Sequence, residues 1–141
     1  MFVINATEAR KEWSTVIDNA IRQKPQFIKR TRDELVLSST ELLKEVLSPY
    51  KFVAKRYIED DNSITLSLDN IDLVDNAPTE EEAKIKLAEE IKEYSEEFYK
   101  DFEFWGSAPN RKMHIPFVLR AIISDDISEI AELIECQDGE N

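Results

Sequence analysis

"VINATEARKEWSTVIDNAI", residues 3–21, decides how the first third of this chain is read. The short apolar run at residues 2–4 suits a strand. Asn5 and Glu8 then stand three apart, the spacing of a helix N-cap and its reciprocal partner. Asn5 is expected to accept a hydrogen bond from the backbone N–H near Glu8, while Glu8 reaches back. Ala9, Trp13, Val16 and Ala20 recur at i, i+4, i+7 and i+11, with Ile17 and Ile21 beside them. That spacing predicts one helix with a single apolar stripe, ending at Pro25. Arg10, Lys11, Ser14 and Asp18 lie off the stripe.

Downstream, "FIKRTRDELVLSSTELLKEVL" (residues 27–47) reads as strands at 26–29 and 35–38 joined by a basic turn over 30–33. Ser39 or Thr40 opens a short Leu-rich helix, which Ser48-Pro49 breaks. Alternation at 52–58 and 64–68, separated by "EDDNS", predicts a hairpin, because Asp and Asn bond their own backbone in turns. A third short strand is expected at 71–74, ended by Asn76-Ala77-Pro78. Thr79 with Glu82 forms a second capping box, opening a long helix to about Phe102 with the stripe Ala83, Leu87, Ile91, Tyr94, Phe98, Phe102. "GSAPNRKM" (106–113) has the composition of a linker. Two short helices follow at 115–123 and 127–135, and the last residues are expected to fray.

The totals narrow the function. At 141 residues, 42% apolar and 34% charged, the sequence describes one globular domain or two small ones. No apolar run nears the roughly 18 residues of a membrane span, and the start lacks the n-region and h-region of a signal peptide. The single cysteine, Cys136, excludes an internal disulfide. A cytoplasmic protein without membrane contact is expected. The one histidine, His114, reads as a surface residue and Cys136 as part of a mobile tail, and two glycines leave no room for a glycine-rich phosphate loop. No enzymatic activity, catalytic residue, metal site or cofactor is therefore expected. The aromatic stripe at 94, 98, 102 and 105 reads as core, since helical spacing explains it.

Charge is more telling in its placement than in its sum. Residues 1–32 hold seven Lys/Arg against three acids, a net +4, which leaves −16 on the remainder of a chain whose total is −12. A basic head on an acidic body suits a head that meets a polyanion.

The order strand, helix opening N-A-T-E-A-R, basic hairpin, Leu-rich helix resembles the N-terminal domain of the Phd/YefM antitoxins over residues 1–48. Here the hairpin "RTRDE" lacks the glycine that the family usually carries. Residues 50–94, three strands and a helix opening T-E-E-E-A, resemble the HicB antitoxin domain. The resemblance implies an α+β protein: a β-α-β-β-α dimerisation domain at 1–48, then a β-β-β-α module with two short C-terminal helices at 49–141. It further implies an antitoxin of a type II toxin–antitoxin system, a homodimer that binds operator DNA and represses its own operon. Asn5, Thr7, Arg10 and Lys11 would face DNA from the helix start, with Lys29, Arg30 and Arg32 close by. The helix N-terminus would favour phosphate, and arginine could also read a guanine edge. The acidic body would cover a small basic toxin, such as an RNase, through residues the sequence does not specify. The alternative is a stand-alone transcriptional regulator with an acidic sensor domain.

Overall fold

The computed structural model describes residues 2–140. The chain forms two compact units, Met1–Val46 and Leu47–Asn141, and each holds its own mixed α+β arrangement. Together they contain two sheets and seven α-helices among the described residues.

In the first unit, β1 (Ile4–Asn5) leads into α1 (Ala6–Lys11) and α2 (Trp13–Arg22). These helices form the crossover that a parallel pair requires, because β1 then lies parallel to β2 (Gln26–Arg30) with Asn5 opposite Lys29. A tight turn reverses β2 into β3 (Asp33–Leu37), and the sheet order is β1-β2-β3. Ala9, Val16 and Ile28 make the small core, with Ile4, Ala6 and Leu37 packed on it. The Ser39 hydroxyl accepts from the Leu42 N–H at 3.1 Å and so caps α3 (Thr40–Val46).

Three expectations fail here. The single helix is divided at Glu12, whose φ of −105° and ψ of 30° depart from helical values. Trp13, expected in the stripe, is 48% exposed, and Ile21 is 58% exposed. With only two helical elements on a three-stranded sheet, the unit is too small to cover them. The reciprocal cap fails as well. Asn5 accepts from the Thr7 N–H at 2.8 Å, and Glu8 lies 3.8 Å from Lys11 instead of reaching back.

In the second unit, β4 (Phe52–Ile58) is central in a sheet of order β6-β5-β4-β7. It runs antiparallel to β5 (Ile64–Leu68), which runs antiparallel to β6 (Val74–Ala77). Helix α4 (Glu80–Lys100), capped by Thr79 accepting from the Glu82 N–H, lies on one sheet face. Then come α5 (Phe102–Ser107), a 3-10 turn at Lys112–His114, α6 (Ile115–Ile122), α7 (Ile127–Glu132) and β7 (Ile134–Asp138). Phe52, Leu66, Leu87, Ile91, Ile130 and Ile134 form the larger core.

Four element expectations are corrected in this unit. The third strand is Val74–Ala77, so Asn76 and Ala77 belong to it, and Ile71 is a buried loop residue. The long helix stops at Lys100, and the supposed linker begins inside α5. The last helix ends at Glu132. Finally, the tail is not frayed: β7 pairs in parallel with β4 from Phe52↔Ile134 to Arg56↔Asp138, making the sheet four-stranded. Gly139 continues that docking. Its N–H donates to the Arg56 carbonyl at 2.8 Å, and the Tyr57 ring lies too close to leave room for a Cβ there.

Candidate nucleic-acid interface

The seven residues expected to meet DNA lie on three elements and one turn of the first unit, and all are exposed. Asn5 ends β1 and Lys29 stands opposite it on β2, a pairing fixed by the parallel register. With Val3 and Thr31 they line a concavity of about 320 Å³. Arg30 and Arg32 belong to the hairpin end. Arg30 approaches Asp33 at 4.0 Å, with both side chains well solvated, so that pair contributes little.

Thr7 lies in the first turn of α1, but Arg10 and Lys11 lie in its last. There the negative end of the helix dipole favours cations, a local reason for two basic residues besides any ligand. Arg10 borders a different depression of about 450 Å³, lined by Ala6, Ala9, Trp13, Ile28 and Leu35. Asn5 and Lys29 are thus brought together, while Arg10 flanks an apolar concavity. Arg10, Lys29 and Arg32 form no ion pair among the described residues.

Sequence reasoning missed the exposed apolar side chains. Leu35 (51%) and Val36 (53%) of β3 join Trp13 and Phe27 as incompletely covered large residues. The signal was available: a β3 reading L-V-L is apolar on both faces, which one layer of helix cannot bury.

In the second unit, Tyr94, Arg111 and His114 form a half-buried cluster. The Arg111 guanidinium donates to the Tyr94 hydroxyl at 2.9 Å, and that hydroxyl lies 2.7 Å from His114 Nδ1. The Tyr94 hydroxyl can accept from Arg111 and still either donate to Nδ1 or accept from it, according to the His114 tautomer. Desolvation, with Arg111 nearby, lowers the His114 pKa. Burial raises the Cys136 thiol pKa, the opposite of what nucleophilic activation needs. Among the described residues, no three His, Cys, Asp or Glu side chains could hold a metal ion. No helix of the described residues is long and apolar enough to cross a membrane.

A family model described as PHD-like, antitoxin of toxin–antitoxin, RelE/RelB, TA system, matches residues 1–136. The chain belongs to this antitoxin family. The match spans both units, not only the basic head. A crystal structure from Syntrophomonas wolfei subsp. wolfei, described as the antitoxin part of a proposed toxin/antitoxin system, is similar throughout. It is 37% identical, with a TM-score of 0.94 over 99% of this chain and 100% of that one. No curated protein matches the sequence significantly. The antitoxin therefore has a cognate toxin as partner, and its family and fold point to a regulatory protein without enzymatic activity.

Proposed function

We propose that this antitoxin neutralises its toxin through the acidic second unit and, as a homodimer acting in the cytoplasm, binds operator DNA through the first unit. The observation that carries the reading is that Arg10, Lys29 and Arg32 are exposed without acidic partners among the described residues, beside Asn5 aligned with Lys29. Exposed cations without partners raise affinity for phosphate by releasing its counterions. Asn5 adds a side chain able to bond a phosphate or a base edge.

Dimerisation is supported by the apolar side chains left on a unit of this size. The depression bordered by Trp13 and Leu35 is an apolar surface that a second copy can cover. The second unit carries 23 acids against 10 Lys/Arg over residues 47–141. That charge favours fast encounter with a small basic toxin, and an acidic surface fits an RNase, whose own ligand is a polyanion. The HicB-like order of three strands and a capped helix belongs to the same reading of this unit.

The test is fluorescence anisotropy with DNA from upstream of the antitoxin's own gene. The wild-type chain should bind with log affinity falling against log salt at a slope of about −0.9 per neutralised phosphate. Arg10→Ala/Lys29→Ala/Arg32→Ala should flatten that slope and weaken binding at least about 100-fold at low salt. Undiminished affinity with a native circular dichroism spectrum would remove the DNA assignment.

A further inference from the structure

The end of α4 and the whole of α5 carry a surface that the fold does not use. Tyr99 is 57% exposed and Phe104 61% exposed, although both belong to a segment of closely spaced rings. Tyr99 lies against Phe102 with ring centroids 6.4 Å apart, and Phe102 lies 5.5 Å from Phe98, which is buried. Phe104 meets Trp105 at 5.0 Å, and Trp105 in turn lies under the Arg111 guanidinium at 5.5 Å. Each exposed ring is therefore backed by a ring or cation that limits its motion. A side chain held in this way loses little conformational entropy on binding, which is the property of an interface anchor.

Phe104 also borders a shallow concavity of about 530 Å³, shared with Asp101, Glu103, Ser107 and Ala108. Beside Phe104 in that concavity, Asp101 and Glu103 are exposed and form no ion pair among the described residues. Lys100 is the one cation within residues 96–105. Apolar anchors inside an uncompensated acidic rim fit a basic partner, and they disfavour a second copy of this chain, whose equal surface would bring like charges together.

We propose that Tyr99 and Phe104, with the acidic rim at Asp101 and Glu103, are the docking surface for the cognate toxin, which meets it with a basic segment and an apolar side chain seated beside Phe104. This inference rests on the reading of the second unit as the toxin-binding part.

The experiment uses full-length antitoxin and, as probe, the protein encoded beside it in its operon. Tyr99→Ser/Phe104→Ser should weaken binding by about 100-fold in biolayer interferometry, the scale of losing two anchors. Glu103→Lys alters only an exposed position and should slow association and reduce its salt dependence. Hydrogen exchange on the wild-type complex should show protection over residues 96–108. Unchanged affinity in both variants, with protection over the sheet residues 52–77, would overturn the docking surface while leaving the second unit as toxin-binding. Protection confined to residues 2–46 would overturn both. A Tyr99/Phe104 variant that alters self-association but not toxin affinity would make this surface a contact between copies, against the proposal.

Discussion

Thr31 stands at the tip of the β2–β3 turn with φ of 56°, a left-handed conformation that its branched Cβ opposes. Such a residue costs about 1–2 kcal/mol there, whereas glycine adopts the conformation freely at some entropic loss in the unfolded chain. Thr31→Gly should therefore raise stability by about 0.5–1 kcal/mol, measured by urea unfolding. Glu90 of α4 sets a pH dependence. Desolvation, with a hydrogen bond to the Asp75 carboxyl of β6, pushes its pKa up to about 7. A carboxyl whose folded pKa is raised contributes its stability below the unfolded value and loses it as pH climbs through about 7. Glu90→Gln should raise the melting temperature at pH 8 relative to wild type, with that gain vanishing near pH 4. His114 works in the opposite sense: its pKa is lowered, so its contribution is present above the unfolded value and lost as pH falls. Nitrogen NMR of the imidazole should find a pKa below the ordinary histidine value.

At the scale of elements, β7 is where local sequence rules gave the wrong answer. "LIECQDGEN" is short, and Ile134 follows a helical pattern without a breaker, so helix then fraying was the local reading. What settles it is non-local: Ile134 fills the core beside Phe52, and the parallel ladder to β4 provides partners for the backbone of residues 134–138. Arg56, on β4, further ties this end down by binding both Glu80 and Asp138. Ile134→Ala should cost about 2–5 kcal/mol in denaturant unfolding, as a buried Ile does, where a frayed tail would show almost none. The start of α4 was legible because Thr79 accepts from the backbone N–H of Glu82, three residues on, a purely local event. Trp13 was not legible as exposed, because periodicity reports which residues share a face and not whether anything covers it. Asn5 and Lys29 could both be named from the sequence, but their alignment depends on a parallel register that no local pattern states.

Over the whole molecule, the charge difference and the division into two units are the basis for the proposed separation of DNA binding from toxin binding. Residues 47–141 carry 23 acids against 10 bases, whereas the first unit concentrates its exposed cations around β1, α1 and the β2–β3 turn. An antitoxin built in this way should lose DNA binding and toxin binding by different substitutions. The most direct measurement is therefore a pair of titrations on one variant, Arg10→Ala/Lys29→Ala/Arg32→Ala, against upstream DNA and against the toxin encoded alongside it. The account predicts that the variant loses DNA affinity at least about 100-fold while holding toxin at wild-type affinity. Retained DNA binding, or toxin binding lost together with it in a folded variant, would contradict the division of labour between the two units.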